Sequence, residues 1–194
     1  MYQEKLISQT LTFETGSVEV TEVIKRTANA SILLGKDTED SFKVLKYIPF
    51  FNNSAKESFI TEFTMLRLLG DHPSLVKLFA PLQIPGEFVI GVLKLEHCSQ
   101  GNLCDFARTH TIYPPQADYI AKEILLGLLK LQEIGIAHRD ICPENILVTQ
   151  NYQFKISDFG SAVKIEELSK FDPMVVIGNI EKKSNPLYLS LIHI

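Results

Sequence analysis

A chain of 194 residues leaves room for one domain of ordinary size, or for one and part of another. With 45% hydrophobic and 22% charged residues it is neither disordered nor fibrous, and it can build a packed core. Its 19 basic and 23 acidic side chains give a formal charge of -4, which excludes the cationic footprint of a nucleic-acid or anionic-membrane binder, so partners must be read from local sites.

Residues 1–13 are interrupted by Glu4, Lys5, Ser8 and Gln9 and lack the apolar stretch of a signal peptide. Residues 10–48 are dense in Val, Ile, Thr and Phe, with breaks at Gly16, Asn29 and Gly35-Lys36-Asp37, and predict a short antiparallel meander. From Ser54, apolar Phe59, Phe63, Leu66 and Leu69 recur every three or four positions, predicting an amphipathic helix that Gly70 ends. Residues 75–82 and 87–95 return to strand composition around the Pro85-Gly86 turn. A polar connector, 97–102, leads toward Pro114-Pro115, where the clearest helix starts with Ile120, Ile124, Leu128 and Leu131 on one face and Gly135 at its end. Two short strands are predicted at 146–148 and 154–156. No run reaches about 18 uncharged apolar residues, the length a membrane span requires. Cys98, Cys104 and Cys142 are odd in number and lack metal-type spacing, which fits a reducing cytosol and a cytoplasmic protein.

The chemistry concentrates late in the chain. Asp140 and Asn145 stand five residues apart in His138-Arg139-Asp140-Ile141-Cys142-Pro143-Glu144-Asn145, on a loop leaving a buried helix. Eighteen residues beyond Asp140 comes Asp158-Phe159-Gly160, whose glycine is expected to allow a strained turn that aims a second carboxylate toward the first. Two carboxylates and an amide offer the oxygen ligands that Mg²⁺ prefers, with one carboxylate left to orient a hydroxyl.

At these residues the chain resembles the eukaryotic protein kinase family, through H-R-D-x-x-x-x-N followed by D-F-G. Further matches are Phe42-Lys43-Val44-Leu45-Lys46 to the V-A-I-K strand, Glu62 to the helix glutamate, Leu95-Glu96-His97-Cys98 to the hinge with Leu95 as gatekeeper, and Ser184-Asn185-Pro186-Leu187-Tyr188 to G-T-P-x-Y. The resemblance runs from residue 22 to 188 and implies an α+β, two-lobed fold, with an antiparallel-sheet small lobe at 22–95 and an incomplete helical large lobe at 96–188. Residues 1–21 would form an N-terminal extension. An antibiotic- or choline-kinase-like phosphotransferase shares H-x-D-x-x-x-x-N but not the D-F-G and Pro186-Leu187-Tyr188 segments.

By the same resemblance the cofactors are ATP and Mg²⁺, and the partner is a protein substrate bearing Ser or Thr. Lys46 would contact the α- and β-phosphates and be held by Glu62, Asn145 and Asp158 would hold the metal, and Asp140 would orient the substrate hydroxyl and accept its proton. Ile24, Ile32, Val44, Leu95, Glu96, Cys98 and Leu147 would line the nucleotide site, while Leu66, Leu78, His138 and Phe159 would form a stacked spine. Pro143-Glu144 favours the Ser/Thr branch.

Three departures matter. Lys25, Thr27 and Ala30 occupy the positions of the glycine-rich loop's three glycines, where small residues let backbone N–H groups approach phosphates. Cys142 replaces a lysine that would neutralise charge on the transferred group, a loss of about 10²- to 10³-fold in turnover. The sequence stops shortly after Tyr188, so the A-P-E element and later helices are expected to be missing. Residues 189–194, Leu-Ser-Leu-Ile-His-Ile, read as a non-native tail resembling a translated sequencing adaptor. The fragment alone is then expected to be inactive. A second reading is a pseudokinase, a binding or scaffolding module, favoured by the glycine-free loop and Cys142. Ser161, Ser169 and Ser184 fall in the activation segment.

Overall fold

The computed structural model describes residues 7–85 and 89–168. Part of the strand predicted at 87–95 therefore lies outside the described residues, as do Ser169, the 184–188 segment and the tail at 189–194. The chain forms two compact units. The first comprises residues up to Phe63 together with Lys77–His97, and the second comprises Thr64–Val76 and residues from Cys98 onward. Each is built of both helix and strand, in keeping with an α+β protein-kinase-like fold.

The first unit carries six strands, β1 (Thr10–Phe13), β2 (Gly16–Arg26), β3 (Ser31–Asp37), β4 (Phe42–Pro49), β5 (Leu78–Ile84) and β6 (Ile90–Glu96), in the order β1-β2-β3-β4-β6-β5. All neighbours are antiparallel. Because side chains alternate along a strand, each strand has one core face and one other face. Leu11, Phe13, Val18, Val20, Leu33, Leu45, Tyr47, Ala80 and Val92 join in one buried cluster. β1 precedes most of the sheet yet supplies two of its core side chains.

The break predicted at Gly35-Lys36-Asp37 lies wholly within β3, which runs on to Asp37, so the chain turns only after that residue. A Cβ there would lie 2.6 Å from Val18 Cγ1 and 2.7 Å from the Glu19 carbonyl oxygen, so glycine is required by close strand approach beside a register shift in β2. The turn itself is made by Asp37, whose Oδ1 accepts the N–H groups of Glu39 and Ser41, with Asp40 at φ 59°.

Helix α1 (Asn53–Leu69) begins where the Asn52 side chain accepts the Ala55 N–H at 2.8 Å and ends at Gly70, whose φ is 62°. Gly91 of β6 leaves room for the rings of Phe59 and Phe50, which an added Cβ would meet at 2.6 and 2.8 Å.

The second unit contains α2 (Leu103–Thr109), α3 (Pro114–Glu133), β7 (Ile136–Ala137), β8 (Ile146–Val148), β9 (Phe154–Ile156), β10 (Val163–Lys164) and α4 (Ile165–Leu168). α3 starts with proline in its first turn, while the Gln116 side chain accepts the Tyr113 N–H, and Gly135 at φ 68° follows its end. Gly127 lets α3 pack closely, because a Cβ there would lie 2.8 Å from Ile156 Cδ1 and 3.1 Å from the Ser74 carbonyl oxygen. Residues 75 and 76 are not part of β5 as predicted. Leu75 bridges Ile156, and the Val76 N–H donates to the Ile156 carbonyl at 3.0 Å, so both belong to the second unit. α2 was not predicted by apolar period, although Asn102, whose side chain accepts the Asp105 N–H at 2.9 Å, marks its start. Among the described residues no helix is long and apolar enough to cross a membrane.

Candidate active site

In the first unit, strand period and register place the implied nucleotide-contacting side chains together. β4 buries Lys43, Leu45 and Tyr47 on its core face, which puts Val44 and Lys46 on the opposite face. Ile32 is the cross-strand partner of Lys46, and Leu95 is the partner of Val44, so these four share that face. Ile24 is exposed in β2, next to a register shift. Glu96 ends β6, and its N–H donates to the Lys77 carbonyl at 2.9 Å.

Lys46 Nζ lies 2.9 Å from Glu62 Oε1 and 2.8 Å from Oε2, joining strand β4 to helix α1. The Glu62 side chain is 2% exposed and that of Lys46 is 15% exposed. Such a pair is sustained by mutual neutralisation, since either charge left alone in that setting is strongly unfavourable.

The turn joining β2 to β3 is closed on itself. The Thr27 N–H donates to the Ala30 carbonyl at 2.8 Å. The Ala30 N–H donates to Thr27 Oγ1 at 3.0 Å, and that hydroxyl lies 3.1 Å from the Ala30 carbonyl, to which it donates.

In the second unit, α3 ends and the chain passes through β7 into the loop carrying His138, Asp140 and Asn145. His138 is buried, and its Nε2 lies 3.0 Å from the Ser157 carbonyl, which can only accept, so Nε2 carries the proton. Nδ1 accepts the Asp140 N–H at 3.3 Å. Both nitrogens are thus satisfied in the neutral ring, and burial holds the imidazole below its ordinary value. The carboxylates of Asp158 and Asp140 each oppose that shift, so both act on the same ring. Phe159, fully buried, meets the His138 ring edge-on with centroids 4.7 Å apart.

Asn145 is the clasp of this loop. Its Nδ2 donates to both the backbone carbonyl and Oδ2 of Asp140, each at 2.9 Å. With both amide hydrogens directed at Asp140, the carbonyl oxygen Oδ1 is the end that can bind a cation. The loop is tied to β9 through Ser157, whose N–H and Oγ donate to the Asn145 carbonyl at 2.8 and 2.9 Å.

Asp158 is exposed between buried Ser157 and Phe159. The strain predicted for Gly160 sits instead on Asp158, at φ 62° and ψ 73°, and in the loop that carries Asp140 the left-handed residue is Arg139, at φ 68°. Non-glycine residues occupy this region at a cost of about 1 kcal/mol or more, sustained here by the anchoring of their neighbours. Arg139 Nε donates to the Ser161 carbonyl at 2.6 Å.

Asp158 and Asn145 offer hard oxygen donors, the type Mg²⁺ takes one or two of from a protein while drawing the rest from phosphates and water. Among the described residues no three His, Cys, Asp or Glu side chains gather as a metal cage. Cys142 is buried, with its thiol pushed up to about 11 chiefly by burial, so it is a neutral group at pH 7. Cys98 is buried and Leu147 half-buried in β8, where Leu147 bridges Asn102.

The profile of the protein kinase domain matches residues 21–179. The chain is 32% identical over 119 residues to serine/threonine-protein kinase ATG1c of Arabidopsis thaliana, covering 59% of this chain and 16% of that protein. It is 40% identical over 106 residues to 3-phosphoinositide-dependent protein kinase B of Dictyostelium discoideum, covering 54% and 11% respectively. Against serine/threonine-protein kinase cds1 of Schizosaccharomyces pombe it is 36% identical over 118 residues, covering 60% and 25%. The chain thus spans a quarter or less of the length of these relatives.

Proposed function

The chain belongs to the protein kinase family, and from that premise we propose that its full-length form transfers the γ-phosphoryl group of ATP to Ser or Thr hydroxyls of a protein substrate. Asp140 accepts the proton of the attacking hydroxyl and orients it. Asn145 donates one hydrogen bond to the Asp140 carboxylate and one to the Asp140 backbone carbonyl, and its own amide oxygen would be the atom that holds a metal. Asp158 is the second metal ligand. Lys46, held by Glu62, binds the α- and β-phosphates. A bound Mg²⁺ neutralises phosphate charge, which matters because phosphoryl transfer depends mainly on positioning and electrostatic stabilisation.

Ile32, Val44 and Leu95 supply apolar contacts for adenine from the face that also carries Lys46. Ile24, Glu96, Cys98 and Leu147 complete the nucleotide contacts. The observation that carries the reading is the Asn145 clasp on Asp140, which holds that carboxylate by a charge-assisted hydrogen bond at 2.9 Å. Pro143-Glu144, the first two residues of a 3₁₀ turn, supports Ser/Thr over Tyr as acceptor.

The self-closed turn at residues 27–30 favours a second reading, in which the domain serves as a binding or scaffolding module with little turnover. Incubating the full-length form with γ-labelled ATP, Mg²⁺ and mixed Ser/Thr and Tyr peptides separates the two. Label on Ser or Thr, lost in Asp140→Asn, is the expected result. Absence of transfer from a folded full-length protein would select the module.

A further inference from the structure

The β2–β3 turn aligns with a phosphate-binding loop, yet its bonding is directed inward. A backbone anion site requires neighbouring N–H groups to point at one ligand, commonly by alternating right- and left-handed residues. Left-handed φ values occur at Ser8, Gly16, Asp40 and other described positions, but at none of residues 27–30. The turn therefore tolerates Thr27 and Ala30 where a nest would call for glycine.

Thr27 adds a chemical block to this geometric one. Its hydroxyl bonds both backbone polar groups of Ala30, accepting from the N–H at 3.0 Å and donating to the carbonyl at 3.1 Å. Any phosphate oxygen seeking the Ala30 N–H must displace Thr27 Oγ1, and the displaced hydroxyl also loses its acceptor. Lys46, by contrast, presents its ammonium from a strand and needs no such rearrangement.

We propose that Thr27 is an affinity-limiting residue of the nucleotide site, an internal hydroxyl cap that occupies the Ala30 N–H and weakens phosphate binding without affecting the nucleoside. This rests on the nucleotide-binding reading above and specifies which part of the ligand the site holds poorly. The ratio of Mg·ATP affinity to adenosine affinity is then the informative quantity, because the cap acts on phosphate alone.

Calorimetric titration of the full-length protein with Mg·ATP and with adenosine tests this across Thr27→Ala, Thr27→Ser and the double variant Thr27→Gly/Ala30→Gly. Exchanging one neutral internal bond for one to a charged phosphate predicts that Thr27→Ala raises the ratio about tenfold. The double variant should raise it further, and Thr27→Ser, which keeps the hydroxyl, should match wild type. Amide hydrogen exchange supplies a readout independent of nucleotide, with Ala30 protected in wild type and Thr27→Ser but unprotected in Thr27→Ala. An unchanged ratio in Thr27→Ala, an equal rise in Thr27→Ser, or an Ala30 amide that exchanges freely in wild type would overturn the proposal while leaving nucleotide binding intact. Binding of neither ligand to any folded variant would overturn the nucleotide reading and this inference with it.

Discussion

The two units hold functional charge in opposite ways. In the first, Lys46 and Glu62 sit on a regular strand and helix, each neutralising the other where little water reaches. In the second, Asp140, Asn145 and Asp158 sit on loops, held by amide and backbone bonds and by a left-handed residue. The first arrangement ties function to stability, because removing one member leaves a buried charge. The second separates them, since a loop carboxylate can be removed while the bonds that shape the loop remain.

That contrast is sharpest at Asp140. Asp140→Asn in the full-length form should lower turnover by about a thousandfold, the scale of losing a positioned general base, while its melting temperature stays near wild type because the loop's backbone bonds survive. Steady-state kinetics beside a thermal melt checks both halves, and a large fall in stability would break the comparison. Lys46→Met should do what Asp140→Asn does not, lowering unfolding free energy by roughly 3 kcal/mol by stranding the Glu62 carboxylate. Denaturant titration should find Lys46→Met/Glu62→Leu more stable than Lys46→Met alone.

His138 gives a pH signature confined to the second unit. Burial lowers its folded value below the ordinary 6.5, so the unfolded chain takes up the proton first as pH falls. Stability should therefore decline below about pH 6.5 and keep falling until the folded ring titrates, a trend weakened in His138→Phe. Denaturation midpoints compared between about pH 7.5 and about pH 5.5, roughly one pH unit either side of the unfolded value, would expose a wrong sign. The smallest effect belongs to Ser31, next to the closed turn, whose buried hydroxyl has no hydrogen-bond partner among the described residues. Ser31→Ala should stabilise by about 1 kcal/mol in a thermal melt by removing that unmet donor.

Much of the fold was legible because period and punctuation agreed. Strand alternation around Lys46, the 3.6-residue period ending at Gly70, and the Pro114 and Gly135 limits of α3 are local signals that packing left unchanged. Gly35 misled because a glycine demanded by strand contact looks the same in sequence as one demanded by a turn. Leu75 and Val76 misled because apolar composition does not say which neighbour a segment will bond, and Ile156 lies far along the chain. α2, with one buried residue, Phe106, was too short to show a period.

At the site, residue types and spacing drew attention to Asp140, Asn145 and Asp158, but not to how they are held. The placement of strain on Asp158 rather than Gly160 follows from neighbours on both sides that are pinned by Asn145 and His138. The hydroxyl cap of Thr27 was equally hidden, since the missing glycines were visible and the bond that replaced them was not.

The central claim is that loop carboxylates held independently of the core bind a metal–nucleotide complex. It is tested most directly by titrating Mg·ATP into wild type and Asp158→Gly of the full-length protein while following both affinity and melting temperature. The account predicts that Asp158→Gly, relieved of its left-handed cost, melts no lower than wild type without ligand and loses the Mg²⁺-dependent part of binding. Equal Mg²⁺-dependent binding by both proteins, or a variant that unfolds before it can bind, would contradict it.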